Sequence, residues 1–263
     1  MCTLVMLRRP AHSWPLLLAA NRDEMVDRPW SAPGRHWPDR PEVVAGLDLT
    51  AGGSWLGLND HGVVAAILNR RSSLGPAPGK RSRGELVLEA LDHADAVAAA
   101  EAMAELNPAA YRSFNMVVAD NRDAYWLRNL AAADTRVIEV RPIPEGLSML
   151  TAYDLNDRAS ARIARHLPAF EAAPPPDPAT GDWAAWQEIL AFTAADSETA
   201  MTVERGGFQT VSASLLALPA TPRTAAEKPA RPRWLFAPGR PDRHPYAPLE
   251  GLAPPPNGNQ NPR

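Results

Sequence analysis

Cysteine is all but missing from this chain: among 263 residues, Cys2 is the single one. A lone thiol cannot close an internal disulfide, so a reducing, cytoplasmic setting is expected. No pair of Cys or His stands at metal-ligand spacing either, and no metal or other cofactor is expected from the residues. Charge of one sign is also lacking. The net charge of −3 provides no basic field for nucleic acid or an anionic membrane surface. Long apolar runs are absent as well: Trp14 to Ala20 falls far short of the ~20 residues of a membrane span. That segment has no signal-cleavage site, and a cleaved leader would remove Cys2.

Proline, by contrast, is plentiful, at 28 residues, and clustered. Ala173 to Pro178 reads as a linker, and the stretch after Pro238 is rich in Pro, Gly, Asn and Arg. The expectation is one domain over 1–238 and a disordered Pro-rich tail over 239–263.

The first half reads as strands and turns. Cys2 to Leu7 and Pro15 to Ala20 are apolar runs joined by a hairpin turn. Antiparallel pairing would bring Cys2 beside Asn21, Arg22, Asp23 and Glu24, just past the end of the second run. Short strands follow at Val43 to Ala45, Ser54 to Leu58 and Val63 to Leu68, the last ending at Asn69. A long helix is expected over Arg83 to Leu106, and shorter ones up to Leu167 and from Trp183 to Ala194. Later strands fall at Ser113 to Val118, Ala124 to Leu127, Thr135 to Val140, Gly146 to Thr151, Gln209 to Leu218 and Arg233 to Phe236. Many strands with no βαβ rhythm point to an α+β fold of mostly antiparallel sheets.

Position makes Cys2 chemically interesting. A small residue behind Met1 permits removal of the methionine, which leaves one residue with both a thiol and an α-amine. The amine, with an ordinary pKa of about 7.7–8.0, can act as base for the thiol. A Cys here can equally be a small hydrophobe in a strand. Arg22 can receive a carboxylate or hold a thiolate, and Asp23 can orient the α-amine; alternatively, the cluster is a solvated turn with Arg22 paired to Asp23 or Glu24. Asn69 can donate to an oxyanion, or close its strand and start a turn. The basic stretch Arg70, Arg71, Lys80, Arg81 and Arg83 is either an anion receptor or a solvated loop. Trp30, Trp37 and Trp55 line a pocket or anchor the core.

Met1-Cys2-Thr3, Asn21-Arg22-Asp23-Glu24, and Gly52-Gly53-Ser54-Trp55-Leu56-Gly57 followed by Asn59 and Gly62 together resemble the NRDE family, also called the transport and Golgi organisation protein 2 family. That family is in turn similar to the cysteine branch of the Ntn hydrolases, with penicillin V acylase and bile-salt hydrolase. The resemblance implies a four-layer αββα sandwich and hydrolysis of a linear amide carbon–nitrogen bond in a small molecule. It implies Cys2 as nucleophile, Arg22 and Asp23 beside it, and Asn69 at the oxyanion. Asn21 and Asp154 are the expected substrate contacts, with Asn156 an alternative to Asp154. In the late strand Val211 stands where the acylases carry an Arg. A second reading also comes from the resemblance: a non-catalytic haem or lipid-ligand trafficking protein, with Cys2 and one of His12, His36 or His61 as haem ligands.

Overall fold

A computed structural model describes residues 2–131, 137–222, 224 and 230–252. Two antiparallel sheets carry the fold. The first contains β1 (Thr3–Arg8), β2 (Leu16–Met25), β10 (Gly146–Leu150), β12 (Phe208–Leu218), β13 (Arg233–Ala237) and β14 (Ala247–Pro248), in the order β10-β1-β2-β12-β13-β14, with β11 (Glu204–Arg205) on β12. The second is a meander of consecutive strands: β3 (Trp30–Gly34), β4 (Val43–Asp48), β5 (Leu56–Asn59), β6 (Val64–Asn69), β7 (Phe114–Ala119), β8 (Ala124–Asn129) and β9 (Glu139–Pro142).

Both faces of each sheet are covered, which explains the near-continuous apolar strands. Leu4, Met6, Leu16 and Leu18 face the other sheet and pack against Leu56, Leu58, Val64 and Val117. Their neighbours Val5, Leu7, Leu17 and Ala19 face the opposite way, onto α3 (Ala161–Ala172) and α4 (Ala184–Leu190). On the far side, α1 (Gly84–Leu91) and α2 (Ala96–Ala104) cover the second sheet through Leu86, Val87, Ala99 and Met103. The layers are therefore α, β, β, α, the sandwich expected from the sequence.

Several elements depart from expectation. The long helix over Arg83 to Leu106 is two helices. Asn59 Nδ2 donates to the Leu91 and His93 carbonyls and so ends α1. Asp95 then accepts from Ala98 N at 2.8 Å and starts α2 afresh. The helix expected up to Leu167 begins at the Ser160 cap and runs on to Ala172, and the helix expected from Trp183 to Ala194 stops at Leu190. Asn21 to Glu24 do not follow β2; they lie within it, because β12 continues the pairing as far as Met25. Of the strand expected over Thr135 to Val140, Thr135 and Arg136 lie outside the described residues, and β9 begins at Glu139. Beyond Pro238, β14 pairs with β13, and residues 253–263 of the expected tail lie outside the described residues.

Candidate functional site

Cys2 sits one residue ahead of β1, where Thr3 pairs with Asn21. Its Sγ donates to Asp23 O and accepts from Asp23 N, both at 3.4 Å. The thiol is thus fixed against the backbone of the tetrapeptide strand. Strand alternation then divides that strand's side chains. Arg22 shares the inter-sheet face with Cys2 and stacks its guanidinium 4.1 Å from the Trp55 ring centroid. Asn21 and Asp23 point to the helical layer.

Asp23 is held on both oxygens. Thr210 Oγ1 donates to Oδ1 at 2.6 Å, and Arg162 Nη1 lies 3.3 Å from Oδ2. The same Nη1 donates to Thr3 Oγ1 at 2.8 Å. Arg162 rises from the first turn of α3 and is fully buried. Sequence reasoning missed it, since an Arg in an amphipathic helix looks like a solvent-facing residue. A signal for it lies in spacing: Arg162 stands one residue before Ile163 and four before His166, on the face that α3 buries. Thr210 lies beside a bulge: Thr210 opposes Asp23 and Ser212 opposes Arg22, so Val211 is the extra residue.

A cleft of about 360 Å³ opens over Cys2. One wall is formed by Thr50, Ala51, Ser54 and Trp55, with Gly52 and Gly53 as the turn between them. Gly52 turns with φ +72°, and a Cβ on Gly53 would stand 2.5 Å from Gly84 C, so only glycine permits the close approach. Ser54 N donates to Gly84 O at 2.9 Å and butts the start of α1 against this strand. That contact delivers Arg83, the residue before α1, into the cleft. Arg83 donates to Ser73 Oγ and Ser113 O, and Arg112 donates to the carbonyls of Ser72 and Leu74. Arg28, also in the cleft, pairs with Asp48 at 2.7 Å.

Burial raises the pKa of the Cys2 thiol above its ordinary value, and the Asp23 charge raises it further, while the Arg22 charge opposes them. Burial likewise lowers Arg22, with the charges of Cys2 and Glu24 acting the other way. Arg83 is pushed down to about 10, first by burial and then by the like charge of Arg112.

Cys2, Arg22, Asp23 and Asn69 all line the cleft. Asn69 ends β6 opposite Phe114, and its side chain makes no hydrogen bond among the described residues. Asn21 stands apart from the cleft. Its Nδ2 donates to Leu190 O and Met201 O, both at 3.0 Å, and ties β2 to the segment after α4. Asp154 is also elsewhere, bridged to Arg70 at 2.8 Å and to Arg128. Asn156 folds back in the left-handed region (φ +58°) and accepts from Met149 N. None of His12, His36 and His61 lines the cleft; His36 contacts Ala32 O and His61 contacts Glu42. Among the described residues no group of three or more His, Cys, Asp or Glu forms a metal site. No helix among them is long and apolar enough to cross a membrane.

The family model described as Transport and Golgi organisation 2 matches residues 1–170, which hold Cys2, the β2 tetrapeptide, the Gly52–Gly53 turn, Asn69, Arg83, Arg112 and Arg162. The chain belongs to this family. A Transport and Golgi organization protein 2 homolog of Bos taurus is 36% identical over 118 residues, 41% of this chain and 40% of that protein. The Mus musculus homolog is 42% identical over 81 residues, 29% of this chain and 28% of that protein. The aligned stretches thus span well under half of the curated relatives' length.

Solved structures place this Transport and Golgi organisation 2 member in the Ntn-hydrolase fold. The N-acylethanolamine-hydrolyzing acid amidase ortholog of Caenorhabditis elegans superposes with a TM-score of 0.56 at 12% identity, covering 85% of this chain and 95% of that one. The C2A mutant of the conjugated bile acid hydrolase of Clostridium perfringens gives 0.52 at 12% identity, with 96% and 94% covered.

Proposed function

We propose that this protein is an N-terminal-cysteine amidohydrolase that cleaves a linear amide carbon–nitrogen bond in a small molecule. One observation carries the reading: the Cys2 thiol is pinned to the Asp23 backbone beside the Arg22 guanidinium, at the floor of a cleft that the unengaged Asn69 also lines. The named activities of the two superposed proteins, an N-acylethanolamine-hydrolyzing acid amidase and a conjugated bile acid hydrolase, support it. Removal of Met1 frees the Cys2 α-amine. That amine takes the thiol proton as Sγ attacks the carbonyl carbon, and Asn69 Nδ2 donates to the oxyanion. The proton passes to the departing amine as the carbon–nitrogen bond breaks. Water then hydrolyses the thioester, releasing the acid and restoring the thiol. Asp23, clamped by Arg162 and Thr210, orients the α-amine. A thiol that burial keeps protonated at rest suits a residue whose base arrives with it. The lone cysteine suits a reducing cytoplasm.

The test is intact-mass analysis of purified protein, alone and during turnover of a panel of N-acyl amides. The expected result is a mass lacking Met1 and an acyl adduct on Cys2 that Cys2→Ala does not form. Asn69→Ala should lower kcat by about 10²–10³ while leaving the mature N-terminus intact. Retention of Met1 across the whole preparation would refute the mechanism.

A further inference from the structure

The cleft holds more positive charge than its own carboxylates engage. Arg28 is neutralised by Asp48, and Arg81 by Glu85 at 2.6 Å. Arg83 and Arg112 have no carboxylate partner among the described residues; their guanidiniums are held by a hydroxyl and by backbone carbonyls of residues 72–76 and 113. Deeper in, Arg22 is only 7% exposed, and its Nη1 is buried with no hydrogen-bond acceptor among the described residues. Its sole ionic contact among the described residues is Glu24, at the 4.0 Å limit of an ion pair. A buried, unpaired guanidinium N–H costs free energy unless an acceptor completes it. Arg83 and Arg112 repel each other, and an anion in the cleft they line with Arg22 would answer that repulsion.

We infer that the Cys2 cleft is an oxyanion-group receptor, in which Arg22, Arg83 and Arg112 bind a carboxylate or phosphate carried by the substrate. As a statement about substrates this rests on the hydrolase reading, but the anion site itself exists with or without turnover. Neutral amides of equal size lack the charge that would answer Arg22, Arg83 and Arg112 at the cleft wall, and so they bind less well. The site selects an anionic N-acyl amide over a neutral one.

Cys2 supplies its own reporter. Its alkylation by iodoacetate, which is anionic, is compared with alkylation by neutral iodoacetamide, with free cysteine as the reference thiol. A cationic cleft concentrates the anion, so the iodoacetate-to-iodoacetamide rate ratio should exceed that of free cysteine by about ten-fold or more. The excess should fall with added salt and in Arg83→Met and Arg112→Met, and persist in Arg83→Lys. N-acetylglycine and N-acetyl-O-phosphoethanolamine should protect Cys2 from iodoacetamide with saturation, and the stronger protector identifies carboxylate or phosphate as the preferred group. N-acetylethanolamine should protect about ten-fold less well. A ratio equal to that of free cysteine, equal protection by the neutral amide, or no protection by either anion overturns the proposal. The wild-type comparison needs no variant to fold. Anion preference in a protein that retains Met1 and turns nothing over would sink the hydrolase mechanism and leave the anion site standing.

Discussion

Arg162 Nη1 stands 3.3 Å from Asp23 Oδ2, and neither side chain is exposed. One helix of the outer layer thereby reaches through to the strand that holds the Cys2 thiol. The same guanidinium donates to Thr3, so it fixes the starts of both β1 and the site end of β2. Removing one partner of such a buried pair strands the other. Arg162→Met should lower the unfolding free energy by about 3–5 kcal/mol, read from urea melts. Asp23→Asn/Arg162→Met should lose clearly less than the two single changes together. Strict additivity would show that the pair is not coupled.

Protonation of Cys2 gives a second prediction. Burial and the Asp23 charge raise the thiol pKa in the fold above its value in the unfolded chain. The fold therefore keeps a proton that the unfolded chain has already released. This contribution is complete below the ordinary thiol pKa of about 8.5 and is lost as pH rises through the folded value. Wild-type protein should lose stability relative to Cys2→Ala as pH is taken upward from about 8. In Asp23→Asn the raising charge is gone, so the pH profile of Cys2 alkylation should move to lower pH. A profile that stays in place, or moves up, would contradict the cause assigned to the shift.

Gly46, on β4, has no obvious link to Cys2 in the sequence, yet a Cβ there would meet Trp55 Cζ2 at 2.3 Å. Trp55 carries the Arg22 guanidinium on its face. Gly46→Ala must displace the indole, at a cost of about 1–3 kcal/mol for overpacking. The shift should also withdraw the Arg22 charge that favours the thiolate, and so slow Cys2 alkylation by iodoacetamide at neutral pH. Unchanged alkylation kinetics would mean that Arg22 holds its place without Trp55.

The parts of the fold that depend on local patterning were legible in the sequence. The apolar runs located nearly every strand, because both faces of each sheet are buried. The hairpin of β1 and β2 placed Cys2 beside the tetrapeptide. What stayed hidden depends on distant partners. The break between α1 and α2 comes from Asn59, far upstream, holding the Leu91 carbonyl. The extension of β2 through Glu24 comes from pairing with β12, nearly two hundred residues later. Arg83 reaches the cleft through the Gly53–Gly84 approach and Arg112 through the carbonyls of residues 72–76, neither of which a spacing rule announces. Arg162 is the sharpest case: its charge argues for solvent, and distant partners such as Asp23, Thr3 and Ser197 O account for its burial.

Asn21 belongs to the tetrapeptide, but its amide is committed to the scaffold. Nδ2 supplies donors to Leu190 O and Met201 O, carbonyls at the end of α4 and the segment after it. Asn21→Ala leaves both without that donor in a buried setting, so stability should fall by about 1–3 kcal/mol. Its neighbour Arg22 keeps Trp55, Asp23 keeps its partners on α3 and β12, and Cys2 keeps its backbone anchors. Alkylation of Cys2 should therefore proceed at the wild-type rate in conditions where the variant is folded, and protection by N-acetylglycine should persist. Asn21→Asp should be worse than Asn21→Ala, because it sets a carboxylate against two carbonyl oxygens. The opposite pattern, stability kept and ligand protection lost in Asn21→Ala, would return Asn21 to the substrate and take it out of the scaffold.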